Sequence, residues 1–311
     1  MSISHYIKDI GRGKDGARSL NREQATDLMG QVLDARITDL ELGAFCLAMR
    51  IKGETADEMA GFLDATHARL QPLAHPGCPT VVLPSYNGAR RLPVLTPLLA
   101  LLLAREGVAV LVHGHATEDS RVSSQQVLSA LADQEQLAID WSSQLAPGQV
   151  SFLPTEGLLP GLARLLDVRR VVGLRNPGHS LVKLMQPVAG PAVVVSSYTH
   201  PEYLTSMAAT LTLTRTCALL LRGTEGEPVA DARRTPAMDG LVNGTTTRLQ
   251  AAQDGPLAHL PQLPAPDASA TAAWIASVLA GATPVPTPIA QQVQHLLALA
   301  RLCGNTAAAH H

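Results

Sequence analysis

Three times between residues 20 and 70 a capping residue is followed, three positions on, by Glu or Gln: Asn21 and Gln24, Thr38 and Glu41, Thr55 and Glu58. At that spacing the cap side chain takes a free backbone N–H and the longer side chain reaches back to the cap. Behind each cap, apolar residues recur at helical intervals: Leu28, Met29 and Val32; Leu42, Phe45, Leu47 and Met49; Met59, Phe62 and Leu63. The pattern predicts three short helices joined by tight turns. Gly53 stands just past the second, where a helix-terminating glycine belongs. Residues 1–75 are therefore expected to form a small all-helical domain.

From about residue 79 the pattern changes to short apolar runs alternating with helical segments. Thr80–Leu83, Val108–Val112, Val193–Val195 and Ala218–Leu221 are predicted strands. Leu95–Arg105, Pro201–Leu213 and a closing Ile289–Leu302 are predicted helices. Buried strands alternating with helices imply an α/β domain over 76–311, with a mainly parallel central sheet flanked by helices. Within it, residues 160–187 are expected to pack on the helical domain. Residues 255–288 hold seven prolines and read as extended wrapping or linker. In such sheets ligands sit beyond the carboxyl ends of strands, so the loops after Leu83, Val112 and Leu221 are the places to seek chemistry.

Composition narrows the partners. The chain has 311 residues, 46% of them hydrophobic and only 3% aromatic, so its core is aliphatic and it is not a disordered polymer. Its formal net charge is −2, so any binding of nucleic acid must come from a local patch. Arginines outnumber lysines 20 to 4, which favours phosphate contacts made by planar guanidiniums. The N-terminus lacks an apolar signal segment, and the greasy run Pro97–Val112 is broken by Arg105 and Glu106. A cytoplasmic protein with no membrane association is expected. Cys46, Cys78, Cys217 and Cys303 form no CxxC pair, so reduced thiols and no metal site are expected.

Four segments carry candidate chemistry. Ser85, Asn87, Gly88, Arg90 and Arg91 follow the first strand and suit an anion loop, or a plain turn with solvated arginines. His113-Gly114-His115 follows the second strand, with no carboxylate or cysteine at the usual metal-ligand spacing. Glu225-Gly226-Glu227 could hold Mg²⁺ beside a diphosphate, though the glycine and Pro228 favour a solvated turn. Lys8, Arg12, Lys14, Arg18 and Arg22 against Asp9 and Asp15 give residues 1–22 a net +3. With Gly11, Gly13 and Gly16 among them, this segment reads either as a flexible arm on nucleic acid or as a solvated terminus.

Leu42–Thr55, Val112-His113-Gly114 and Arg175-Asn176-Pro177-Gly178-His179-Ser180-Leu181 through Pro187 resemble segments of the anthranilate phosphoribosyltransferase family. The resemblance covers roughly residues 1–250. It implies a small helical domain plus a large α/β domain, and a homodimer paired through the small domain; the short apolar helices, unable to hide all their faces, fit such pairing. By the same resemblance, Ser120 stands for a phosphate-contacting serine and Arg175 for the arginine that approaches the aromatic acid. Ser85, Asn87, Gly88, His113 and Gly114 fall in the same vestigial substrate pocket.

The departures lie at the phosphoribosyl end. The family's Gly-Thr-Gly-Gly-Asp diphosphate loop is replaced here by Pro84-Ser85-Tyr86-Asn87-Gly88, which has one glycine and lacks one N–H donor. The family's lysine before His-Gly is Val112, and its magnesium-holding Asp-Glu pair falls on Glu227 and Pro228. The loop is similar to that of a divergent branch, the YbiB-type proteins, which are associated with DNA binding by a dimer. The expected function is thus a homodimeric, non-catalytic DNA-binding protein without a cofactor. It would bind through Lys8, Arg12, Lys14, Arg18, Arg90 and Arg91 with little sequence preference. A pentosyltransferase using Mg²⁺, with an unassigned acceptor, is the alternative, and a small-molecule sensor that kept a pocket but lost chemistry is a third.

Overall fold

The computed structural model describes residues 2–13, 15–135 and 139–308. All three predicted capping boxes are present, with both reciprocal hydrogen bonds, at Asn21, Thr38 and Thr55. They start α2 (Arg22–Leu33), α3 (Asp39–Lys52) and α4 (Ala56–His67). Gly53 closes α3 with φ +80°, its N–H bonded to Met49 O. A further helix precedes them, α1 (Ser4–Ile10), which corrects the reading of a wholly flexible N-terminus. Ile3, Tyr6 and Ile10 are buried, and the Tyr6 hydroxyl donates to Asp27 at 2.7 Å. Leu47, read as core, is exposed instead, and Cys46 beside it is buried.

The chain continues through β1 (Leu73–Ala74), β2 (Thr80–Ser85), α5 (Thr96–Arg105), β3 (Ala109–Gly114), α6 (Ser124–Glu135), β4 (Ile139–Asp140) and β5 (Val150–Pro154). Then come α7 (Thr155–Leu158), α8 (Pro160–Val172), α9 (Gly178–Leu181), β6 (Val188–Ala189), β7 (Val193–Tyr198), α10 (Glu202–Leu213) and β8 (Ala218–Arg222). A hairpin, β9 (Met238–Val242) and β10 (Thr245–Gln250), precedes α11 (Ala268–Leu279) and α12 (Thr287–Ala308). The main sheet has the order β10-β9-β8-β7-β2-β3-β5-β4. Pairing is parallel from β8 to β4 and antiparallel at β8–β9 and β9–β10. β1 and β6 form a separate parallel pair.

Strand order makes the site. After β2 the chain builds outward through β3 and β5 on one side, then returns to lay β7 and β8 on the other. The loops leaving β2 and β7 therefore diverge and leave a crevice at the carboxyl ends of these strands. The helical domain closes it from above: α10 packs on α4, and α8 packs on α2, where Gly161 lies against the Leu33 carbonyl with no room for a side chain. One apolar cluster runs from α1–α4 through α8 to one face of the sheet, and a second covers the other face with α5, α6, α11 and α12.

Two expectations fail here. The proline-rich stretch 255–288 contains α11, started by Asp267, whose side chain accepts from Ala270 N at 2.9 Å. Cys217 and Cys303 are joined in a disulfide, not reduced, because the start of β8 and helix α12 bring their Cα atoms within 6.5 Å. No helix among the described residues is long and apolar enough to cross a membrane.

A buried ion pair ties the helical domain together. Lys52 Nζ meets Glu58 Oε2 at 2.6 Å, and Glu58, fully buried, also accepts from Leu20 N and Thr55 N, each at 2.9 Å. Removing one partner of a buried pair strands the other charge. Glu58→Ala should therefore lower the unfolding free energy in a urea titration by about 3–5 kcal/mol, and Glu58→Gln by less. A loss below about 1 kcal/mol, the value of a surface pair, would show that the pair does not hold the domain.

Candidate functional site

The crevice is a cavity of about 750 Å³. Its floor comes from the loops after β2, β7 and β8 and from α9, and its roof from the end of α3 and the turn that follows it. Five basic residues reach it without a carboxylate in ion-pair range among the described residues: Arg50, Arg90, Arg91, Arg175 and Lys183. Among the described residues the Arg50 side chain hydrogen-bonds only to the Tyr203 hydroxyl, at 3.5 Å. The Arg175 side chain makes no hydrogen bond among the described residues, and burial together with Arg169 and Arg121 lowers its affinity for its proton. Arg121, also in the lining, is neutralised by Glu118 at 2.9 Å and Glu225 at 3.4 Å. The lining's own acids are Glu54, Glu202 and Glu225.

Beneath the cavity the loop after β2 is sealed by two carboxylates from the loop after β8. Glu227 Oε1 accepts from Asn87 N at 2.9 Å and Gly88 N at 2.8 Å. Its Oε2 accepts from the Ser85 hydroxyl, from Thr96 Oγ1 at 3.1 Å and from Ser124 Oγ at 3.4 Å. Glu225 accepts from Arg90 N at 3.3 Å and from Arg91 N and Leu92 N at 2.9 Å each. The solvated turn expected of Glu225-Gly226-Glu227 is therefore wrong, since Glu227 is only 1% exposed. Backbone geometry aims both acids inward: Glu225 takes a left-handed conformation (φ +51°), and Gly226 follows at φ +89°. A Cβ at Gly226 would overlap the Asn87 side-chain amide, which itself donates to Glu225 O at 2.8 Å.

These carboxylates do not fit a magnesium ion. Mg²⁺ needs oxygen lone pairs facing an open octahedral shell that also holds water. Here N–H and O–H donors already take both oxygens of Glu227 and of Glu225, and the neighbouring position is Pro228. No group of three or more His, Cys, Asp or Glu residues with metal-binding placement occurs among the described residues.

The remaining predicted pocket residues separate. Asn87, Arg90, Arg91 and Arg175 line the cavity. Ser85 and Gly88 are buried below it, in the Glu227 cradle. Gly88 is left-handed at φ +57°, and a Cβ there would meet Val122 O at 2.6 Å. His113 is a core residue, 2.7 Å from the Tyr86 hydroxyl, and Gly114 ends β3 against the Ser85 carbonyl. Ser120 is exposed, bonds to Glu118 at 3.2 Å and does not line the cavity. His115 is held by Glu156 at 2.8 Å and Asp167 at 2.9 Å. Of the basic arm, Lys8 and Arg12 lie on or just past α1, and Lys14 is outside the described residues. Lys8, Arg12 and Arg18 are exposed, Arg12 lying 3.7 Å from Asp9. Arg22 leaves the arm altogether for a two-pronged pair with Asp64 at 2.6 and 2.7 Å.

Sequence reasoning missed Lys183 and His179 as cavity groups. Lys183 is buried, donating to Gly226 O at 2.8 Å and Ser197 O at 3.2 Å. A lysine inside the apolar run Leu181-Val182-Lys183-Leu184-Met185 was the available signal. His179 lies one helical turn before it, with Nδ1 near Asn176 and a buried Nε2 that has no partner.

The comparisons with known proteins agree with this architecture. Residues 4–69 match the helical bundle domain of the glycosyl transferase family. The uncharacterized protein YbiB of Escherichia coli is 38% identical over 299 residues, 94% of this chain and 92% of that protein. The anthranilate phosphoribosyltransferase of Methylorubrum extorquens is 30% identical over 269 residues, 84% of this chain and 79% of the enzyme. This chain belongs to the anthranilate phosphoribosyltransferase-like family. Among solved structures of anthranilate phosphoribosyltransferases, that of Thermus thermophilus covers 97% of this chain and 89% of its own at 22% identity, with a TM-score of 0.71. That of Saccharomyces cerevisiae in complex with PRPP and Mg covers 96% and 88% at 13% identity, with a TM-score of 0.66. At those identities the likeness is one of fold, and it extends over both domains of this family member.

Burial sets the site's response to pH. The imidazoles of His113 and His179 are pushed down to about 3 by burial, helped at His179 by Arg175 and Arg169. The unfolded chain takes these protons near pH 6.5, so stability falls as pH drops from about 6.5 towards 3, by up to about 1.4 kcal/mol per pH unit for each ring. Lys183 is pushed down to about 7 by burial and by Arg175. The unfolded lysine still holds its proton there, so stability rises with pH between about 7 and 10.5. Urea titrations across pH should show His179→Gln removing about half of the acid slope due to these rings, and Lys183→Met flattening the alkaline rise. Unchanged slopes would place both groups in contact with water.

Proposed function

We propose that this protein is a homodimeric, non-catalytic nucleic-acid-binding protein of the cytoplasm, built on an anthranilate phosphoribosyltransferase-like scaffold. The observation that carries this reading is a reversal of charge roles in the crevice. The loop amides suited to a diphosphate are consumed by Glu225 and Glu227, while four guanidiniums and Lys183 around the cavity have no carboxylate in ion-pair range among the described residues. Loop N–H groups discriminate by close approach. Guanidiniums on flexible stems hold phosphates at many geometries, which suits a repeating polyanion more than one small ligand.

Exposed Lys8, Arg12 and Arg18 supply a second basic locus near the helical domain. With a net charge of −2 there is no global attraction, so affinity must come from these local groups. A salt titration of DNA binding should give a log–log slope of roughly −0.9 per phosphate neutralised. Replacing Arg90 and Arg91 by Ala, or Lys8, Arg12 and Lys14 together, should flatten the slope and weaken all sequences alike. PRPP titrated in parallel into the same sample should not bind. Binding of PRPP with an unaffected DNA slope in both variants would favour the transferase or a small-ligand sensor.

The dimer reading rests on α3. Leu40, Leu47 and Ile51 recur at intervals of seven and four residues, so they share one face, and they are 84%, 45% and 55% exposed. Large apolar side chains aligned on a helix mark an interaction face. Light scattering at micromolar concentration should report a dimer for the natural chain and a monomer for Leu47→Asp, with dissociation raised about tenfold or more, as expected when a charge costing over 1.4 kcal/mol enters an apolar interface.

A further inference from the structure

We propose that the Glu227 carboxylate is a built-in occupant of an oxyanion site, and that the cradle around it accepts a small external carboxylate once that side chain is removed. Two backbone amides and two hydroxyls converge on this one carboxylate, and a third hydroxyl, that of Ser124, lies 2.7 Å from the Ser85 hydroxyl and 3.4 Å from the carboxylate. The loop after β2 gives two successive backbone N–H groups, of Asn87 and Gly88, and the Ser85 hydroxyl. Thr96 is the first residue of α5 and Ser124 the first of α6, helices of 10 and 12 residues. The N-terminal ends of both helices, the positive ends of their dipoles, thus lie beside Glu227. Helix α5 has no side-chain cap of its own. Successive amides at a strand end, joined by two helix starts, form a concave anion receptor.

The occupant comes from elsewhere in the chain. Glu227 is delivered by the β8 loop, 131 to 142 positions away from its Ser85 and Thr96 partners. Among the described residues no cation lies in ion-pair range of it; Lys183, whose protons go to the carbonyls of Gly226 and Ser197, attracts it only at longer range. The carboxylate is thus held chiefly by directional N–H and O–H donors, the recognition expected for a bound anion and not for an ion pair. Truncation to Ala leaves the donors buried and unsatisfied around a space the size of the lost carboxymethyl group. Formate or acetate presents the same planar pair of oxygens to the same donors.

This inference deepens the reading of a crevice closed to diphosphate, but it does not depend on nucleic acid being the partner. Its test uses no nucleic acid, so the two fail separately. Thermal unfolding of the natural chain, Glu227→Ala and Glu227→Gln is followed in sodium formate, acetate, phosphate and chloride at matched ionic strength. Glu227→Ala should melt several degrees lower in chloride and regain most of that loss, saturably, in formate or acetate, as a ligand bound only by the folded state requires. The natural chain should show no such gain in any of the salts. Glu227→Gln, which keeps one acceptor oxygen and fills the space, should lose less and not respond to the anions. If Glu227→Ala does not fold in chloride, circular dichroism after refolding in formate replaces the melt, and recovery is expected only there. Equal melting of Glu227→Ala in chloride and carboxylate salts, rescue by phosphate alone, or an equal gain in the natural chain or in Glu227→Gln would overturn the proposal.

Discussion

A carboxylate taken out of water costs several kcal/mol unless hydrogen bonds replace its hydration. Glu227 meets that requirement with donors from the β2 loop, the start of α5 and the start of α6, and in doing so joins four elements of the α/β domain at one point. The rest of the crevice follows from this contact. The loop after β2 can be short of glycine because its amides need not approach a ligand; they approach a side chain already in place. Glycine persists only where the packing demands it, at Gly88 beneath the Val122 carbonyl and at Gly226 against Asn87. The second acid, Glu225, extends the seal to the amides of Arg90, Arg91 and Leu92, which turns both arginine side chains of this loop out to the cavity.

The two acids also account for the electrostatics above them. Because they satisfy backbone donors, neither makes an ion pair with a side-chain cation of the cavity except Glu225 with Arg121, and Glu227 reaches Lys183 only through longer-range attraction. Arg175 then disfavours the charge on Lys183, while burial with Arg169 and Arg121 lowers the proton affinity of Arg175 itself. An anion entering the cavity would relieve that repulsion, so the same arrangement that destabilises the empty cavity would strengthen binding. Arg50 and Glu54 come from the helical domain and Arg175 and Lys183 from the α/β domain, so such a ligand would also span the domain boundary.

Legibility in the sequence followed the range of the interactions. Capping boxes are local, and Asn21, Thr38 and Thr55 placed three helix starts to the residue. The same logic at Ser123 and Gln126, whose reciprocal bonds start α6, was equally available and was overlooked. Parallel strands announced themselves by continuous β-branched and leucine runs. What escaped was non-local. Helix α1 has only seven residues, too few to be stable alone, and forms because Ile3, Tyr6 and Ile10 find the core. Helix α11 lies between prolines that read as linker, although none falls inside it. The Cys217–Cys303 pairing spans 86 positions. The family resemblance set Glu227 at the place of the magnesium-holding pair, but its burial beneath the cavity depends on partners more than a hundred residues away.

Directional amides and flexible guanidiniums both bind phosphate, and they differ in what they exclude. Two successive N–H groups demand an oxygen within about 3 Å and along their axes, so they select one group in one pose. Five cations distributed round 750 Å³ impose no such pose, and their attraction acts over the Debye length of about 8–10 Å. Filling the first device with Glu227 while leaving the second without counter-charges removes pose-specific recognition and keeps long-range attraction. A transferase needs the former, because a leaving group must be held in line with its acceptor. A protein that takes hold of a polyanion anywhere along its length is better served by the latter. On the proposed function, the crevice at the divergence of β2 and β7 is a place where the topology collects loops that offer charge in place of orientation.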